Sequence, residues 1–137
     1  MARRIFLSFA YEDHAQVRGF KLLRWNTNVE SEFFDSSLLT PVQSQDVNYI
    51  MQAIRTRMEN TSVTVVLIGS TTYKSSWVEW EIKESVRRGN GILGIRLKGQ
   101  DNAVPPAAMS VPRARIGNWL PDQFGDWIEA AAKLAGK

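Results

Sequence analysis

Six consecutive residues, Val63-Thr64-Val65-Val66-Leu67-Ile68, leave this chain few ways to fold. Five of the six are apolar, and the run is dominated by β-branched side chains, which suit a pleated strand better than a helix. Because nothing in it alternates, neither face can be left in water. The run predicts a central strand covered on both sides, the pattern of a parallel sheet. Parallel neighbours need crossover connections, usually helical and right-handed, so the flanking segments should alternate between strands and helices.

They do. Ile5 to Phe9 is a short bulky run that reads as a first strand. Asp13 offers an N-cap, and Val17, Phe20 and Leu23 follow at helical spacing, which predicts a helix over about 13–25. Val29 to Phe34 predicts a second strand, and its Glu30 and Glu32 place one face in water, as at a sheet edge. Asp35 to Ser44, with its Ser, Thr and Pro, reads as a loop. Val47, Ile50, Met51, Ile54 and Met58 make an amphipathic helix. A further helix is expected from Ser75 to Arg88, stopped by Gly89-Asn90-Gly91, and then a strand from Ile92 to Leu97. Residues 98–113 hold three prolines and predict a loop in place of the usual crossover helix. Arg115-Ile116-Gly117 suggests a short fifth strand, and Pro121-Asp122 opens a last helix with Phe124, Trp127, Ile128 and Ala131 on one face. The expected fold is one α/β domain over residues 1–137, with a parallel sheet of about five strands and helices on both faces.

Composition narrows the chemistry. There is no cysteine, so thiol nucleophiles and cysteine-based zinc sites are out of reach, and with a single histidine, His14, triads and metal sites built on histidine are nearly excluded. His14 itself reads as a first-turn surface residue. The 137 residues suit one core. The net charge of +3 and a pI of about 9.4 permit an anionic partner, but the basic residues are scattered, which argues against a nucleic-acid patch. No apolar stretch has the length of a membrane span or an export signal, so a cytoplasmic chain is expected.

In open parallel sheets, ligands bind beyond the carboxyl ends of the strands, where the strand order reverses. With a flavodoxin-like order 2-1-3-4-5, that point lies between the first and third strands. The loops there are Ala10 to Glu12, Asp35 to Leu39 and Gly69 to Tyr73. The helix from Ser75 begins at the same rim. At about 100° per residue, Val78, Ile82 and Val86 form its buried stripe, and Glu81 lies roughly 80° from the middle of it. Trp77 is its i−4 neighbour, on the same side. A carboxylate at the border of a core beside an indole should have a raised pKa and an adjacent stacking surface. Two readings stand: a functional carboxylate, or a helix-surface glutamate pairing with Lys74 or Arg88. Trp80 lies about 180° from the stripe and is expected in solvent unless a ligand or another protein covers it.

Taken together, these pieces resemble TIR domains. Arg4 to Phe9 followed by Glu12-Asp13 is similar to the opening box of that family, and Phe33-Phe34-Asp35 to its second strand and following Asp. Ser75-Ser76-Trp77-Val78-Glu79-Trp80-Glu81-Ile82 is similar to its Ser-x-Trp-Cys-x-x-Glu-Leu, with Val78 in the Cys position. Within the family the flavour is that of the TIR-like signalling proteins of bacterial Thoeris antiphage systems, through Tyr11, Asp13, Thr61 to Gly69 and the Trp-Val-x-x-Glu-Ile string. The resemblance covers residues 4–97. It departs in the loop after the second strand, where Asp35 lacks a preceding Arg and Thr40-Pro41-Val42 lacks the family's Gly.

The resemblance implies an NAD-consuming enzyme with Glu81 as its catalytic glutamate. Such an enzyme releases nicotinamide and hydrolyses or cyclises the ADP-ribose product, which activates a downstream effector. NAD is then a substrate, with no permanently bound cofactor and no metal. Ser8, Asp35 and Ser70 are the candidate hydrogen-bonding groups on substrate; Phe9, Tyr11, Trp77 and Trp80 are candidate walls, and Ala10 sits in the rim loop. Self-association through the domain surface is a further implied partner. The rival is an assembly module with the same fold and no turnover. A phosphoreceiver domain would need an Asp where Gly69-Ser70 stand. The G-x-G-x-x-G of Gly89 to Gly94 follows a helix and enters a strand, the reverse of a dinucleotide-binding turn.

Overall fold

The structure, a computed structural model, describes residues 3–22, 29–34 and 39–137. Its strands are β1 (Arg3–Phe9), β2 (Val29–Glu32), β3 (Val63–Ile68), β4 (Gly91–Arg96) and β5 (Arg115–Gly117). Its helices are α1 (His14–Leu22), α2 (Pro41–Gln45), α3 (Val47–Met58), α4 (Ser76–Arg87) and α5 (Pro121–Leu134). The strands form one sheet in the order β2-β1-β3-β4-β5, every pair parallel, as the β3 run requires. All six β3 residues are buried.

Alternation along the strands sorts side chains between two layers. Ile5, Leu7, Val63, Val65, Leu67, Leu93 and Ile95 face one side and pack with Val17 of α1 and Phe124, Ile128, Ala131 and Ala132 of α5. Phe124 and Ile128 are fully buried, each contributing about 1.5–3 kcal/mol. On the other side, Val66, Ile68 and Ile92 meet Val78 and Ile82 of α4, while Phe6 meets Ile50, Ile54 and Met58 of α3. Gly91 is a close approach: a side chain there would run into the Ala131 carbonyl of α5.

Several boundaries differ from the sequence expectation. The second strand ends at Glu32, two residues early: Phe33 joins the α1/α5 layer and Phe34 the α3 layer, so both aromatics are spent on packing rather than pairing. The expected loop from 35 to 44 contains α2, capped by a reciprocal bond between Thr40 and Gln43 with Pro41 in the first turn. Its residues 35–38 lie outside the described ones, as do 23–25 of the expected first helix. Residues 98–113 hold only a short 3-10 turn, Ala107–Met109, which seats Met109 against α4 and β4. Asp13 ends a 3-10 turn (Tyr11–Asp13), and its carboxylate leans on the β3–α4 loop.

Candidate active site

The order of the sheet puts its reversal between β1 and β3, and the carboxyl ends of those strands carry the residues of interest. Ser8 follows Phe6 by two along β1, so alternation turns it toward the α3/α4 layer. It is fully buried, and its Oγ donates to Glu81 Oε1 at 2.7 Å. Glu81 is 6% exposed, deeper than the borderline position its helical angle suggests. Burial pushes its pKa up to about 8, and the Ser8 hydrogen bond acts against that rise. At neutral pH the free side chain is therefore held mainly as the acid, ready to ionise beside a cation. Neither Lys74 nor Arg88 pairs with it: Arg88 engages Glu84, and Lys74 lies over the Tyr73 ring.

The rings around it are shared with α3. Trp77 and Trp80 meet edge to face at 6.1 Å, and both pack against the cluster of Phe6, Ile50, Ile54 and Met58. Trp80, expected in solvent, is half-buried because α3 lies across α4, with the Arg55 guanidinium 5.4 Å from its ring centre. Phe34 and Leu39 pack on the same cluster and help keep water from this corner.

One turn further along α4, Glu84 has the opposite character. It is as buried as Glu81, but Arg87 at 2.6 Å and Arg88 at 2.9 Å hold it. The Arg87 bond first, with Arg88 adding to it, pulls its pKa down to about 2 against the effect of burial. Ser85 completes a polar seam, donating to the Glu81 carbonyl at 2.8 Å and meeting Thr64 Oγ1 at 2.5 Å. Glu84→Gln should cost about 1–3 kcal/mol at pH 7, at the lower end because Arg87 is largely in solvent. The depressed pKa fixes the sign: Glu84 stabilises the fold above pH 4.5 and loses that contribution as pH falls toward 2. Urea unfolding at pH 7 and pH 3 should show the variant's deficit narrowing in acid.

At the rim, the β1–α1 and β3–α4 loops are clipped together. Gly69 N–H donates to Thr72 Oγ1 at 2.8 Å, and Thr72 Oγ1 donates to Asp13 Oδ2 at 3.4 Å. A Cβ on Gly69 would stand 2.5 Å from Asp13 Oδ2. Gly69→Ala is expected to cost about 1–3 kcal/mol in a thermal melt, with part of it recovered by adding Asp13→Ala.

The structure thus gathers Ser8, Glu81 and Trp77 in one corner. Ala10 is buried at the end of β1, and Tyr11 and Ser70 stand exposed on the rim above. Phe9 is not part of this group: alternation turns it to the opposite face, where its ring meets Phe33 at 5.8 Å. Asp35 lies outside the described residues. The Asp13–Thr72 clip and the Glu84 cluster were not foreseen; Asp13 stood out as a cap and in the family resemblance, and Thr72 carried no signal. A groove of about 530 Å³ lies between α3 and the β2 edge, but Arg4 and Arg57 there are already paired with Glu32, and Glu81 does not line it. Among the described residues no group of three or more His, Asp or Glu could hold a metal ion, and no helix is long and apolar enough to cross a membrane.

A parallel sheet in the order 2-1-3-4-5, with a tryptophan and a buried glutamate one turn apart on the helix after the central strand, is the architecture of a TIR-like domain. The TIR domains of the activated Roq1 resistosome directly recognizing the pathogen effector XopQ share the fold, with a TM-score of 0.51 and 14% identity over 98% of this chain and 84% of that one. The Thoeris protein ThsB TIR-like domain family matches residues 6–102, and the chain belongs to that family. It is 37% identical over 102 residues to ThsB1 of Bacillus cereus (strain MSX-D12), whose name carries a provisional assignment as a cyclic ADP-D-ribose synthase. The match takes in 71% of this chain and 53% of that protein, so the chain spans about half the length of this relative.

Proposed function

We propose that this chain cleaves the bond between nicotinamide and ribose in NAD and converts the ADP-ribosyl product into a cyclic ADP-ribose-type signal in antiphage defence. The observation that carries the proposal is the buried Ser8–Glu81 pair at the switch point of the sheet. The family membership and the name of the Bacillus relative support it.

The chemistry suits a carboxylate and needs no metal. Nicotinamide leaves as a neutral base, taking the bonding electron pair to its ring nitrogen, and positive charge develops at the ribose C1′. A carboxylate close to that carbon stabilises the oxocarbenium-like state and accepts hydrogen bonds from the ribose hydroxyls. The pyridinium of bound NAD favours the ionised form of Glu81, so substrate itself generates the charge needed. Attack by water then gives ADP-ribose and a proton. Attack by a nucleophile of the same molecule, with loss of its proton, gives a cyclic isomer, favoured where the chain is folded back and water is excluded. In this reading Trp77 walls the nicotinamide ribose, and Tyr11 and Ser70 touch the remainder of the dinucleotide at the rim. The signal acts on a separate effector.

The test is incubation of concentrated protein with NAD, with nicotinamide and ADP-ribose species separated and weighed by mass spectrometry. Nicotinamide together with a product lighter than ADP-ribose by one water supports the cyclase; ADP-ribose alone supports hydrolysis. No nicotinamide, in buffer or in extracts of phage-infected cells, removes the enzyme reading and leaves the assembly module.

A further inference from the structure

Ser8 was a candidate substrate contact, yet its side chain has no accessible surface. Its Oγ sits on β1, with Ser8 opposite Val66 in the register with β3 and past the last β1–β2 pair at Phe6. A hydroxyl fixed to the middle of a sheet is a rigid anchor, whereas Glu81 is a three-torsion side chain on a helix. The bond engages Oε1 alone. Oε2 takes no hydrogen bond among the described residues. Glu81 keeps 6% of its surface exposed.

We propose that Ser8 is a positioning residue: it anchors Oε1 of Glu81 and thereby presents Oε2 as the one oxygen that meets the substrate ribose. This deepens the NAD-cleavage reading and rests on it for the identity of the substrate. The anchor does a second thing. A serine hydroxyl donating to a carboxylate stabilises the ionised form, so it keeps a deeply buried glutamate within reach of ionisation.

Among the described residues no other group competes for that role. Arg55 of α3 is turned to Trp80 and stands 3.9 Å from Glu84, and Glu84 is held by Arg87 and Arg88. Asp13 rests against Gly69 and Thr72. Lys74 covers Tyr73, Lys83 is exposed, and Arg4 of β1 pairs with Glu32. Among the described residues Ser8 is the neighbour that acts on the Glu81 equilibrium against burial.

The experiment follows the Glu81 carboxyl directly by carbon NMR in protein labelled at the glutamate side-chain carboxyl carbon, the resonance identified by its absence in Glu81→Gln. Wild type, Ser8→Ala, Ser8→Cys and Ser8→Thr are titrated, with nicotinamide release measured over the same pH range. Ser8→Ala should move the Glu81 midpoint up by about one pH unit, because the donor is gone. Ser8→Cys, nearly isosteric with a weak donor, should move it the same way if Ala disturbs folding. Ser8→Thr, which keeps the hydroxyl, should restore the wild-type value. Nicotinamide release at pH 7 should fall about tenfold in Ser8→Ala and recover as pH is raised past 9. A Glu81 midpoint that stays in place or falls in both Ala and Cys variants overturns the anchor. A midpoint that moves as expected while no protein releases nicotinamide upholds the anchor and overturns the NAD reading.

Discussion

Glu81→Gln is expected to lower nicotinamide release from NAD by on the order of 10³-fold or more while leaving the fold intact. Glutamine fills the same space and still accepts the Ser8 hydrogen bond that Oε1 accepts now. It cannot carry the negative charge that the developing ribosyl cation requires. Because Glu81 titrates at about 8, roughly one-tenth of the free wild-type protein holds the carboxylate at pH 7. Its kcat/KM should therefore rise with pH and level off above 8. In kcat the same transition should appear at lower pH, because the pyridinium of bound NAD favours ionisation. A steady-state pH series with matched circular dichroism spectra measures all of this. Unaltered turnover in the variant would assign the reaction to another group.

The same substitution is expected to stabilise the protein, and to do so more at higher pH. In the unfolded chain Glu81 ionises near 4.5, and in the fold near 8. Between those values the folded state holds a proton that the unfolded state has released, so stability falls as pH rises through this window. Glutamine has no proton to lose. The two proteins should unfold alike near pH 4, separate progressively, and differ by roughly 2–4 kcal/mol above pH 8. Denaturant unfolding at pH 4, 6, 8 and 9 reads this directly. A constant difference across the series would mean that Glu81 is not desolvated as its surroundings indicate. The corollary is that the wild type keeps a destabilising carboxylate where a neutral residue would be safer, which is the usual signature of a site kept for chemistry.

Much of this was readable before any coordinates. The β3 run forced a parallel sheet, and the apolar spacing of α3 and α5 fixed which faces went inward, because burial follows a period of 3.6 residues whatever else surrounds the helix. Glu81 and Trp77 stood out for their places on α4. The helical wheel failed at Trp80. A wheel knows one buried direction, and α4 has two neighbours: the sheet beneath it and α3 beside it. Trp80 faces the second and is half-buried, while Val86 packs at the edge of the first, as its position on the stripe suggests. The α2 helix was legible in principle, through Thr40, Pro41 and Gln43, but five residues are too few for periodicity to register.

Sequence by itself determined the alternation of strands and helices, the central place of β3, the lack of any cysteine, and Glu81 as a carboxylate at the border of a core beside an indole. These depend on local pattern and on which side chains exist. The tertiary structure decided which carboxylate is acid and which is anion. Glu81 and Glu84 lie a turn apart on the same helix, yet one titrates at about 8 and the other at about 2. The difference comes from what folding brings to each: a serine from a distant strand and a dry corner for Glu81, and for Glu84 two arginines held where their charge reaches it. A charge in a buried place is governed by the groups around it, and those come together only in three dimensions.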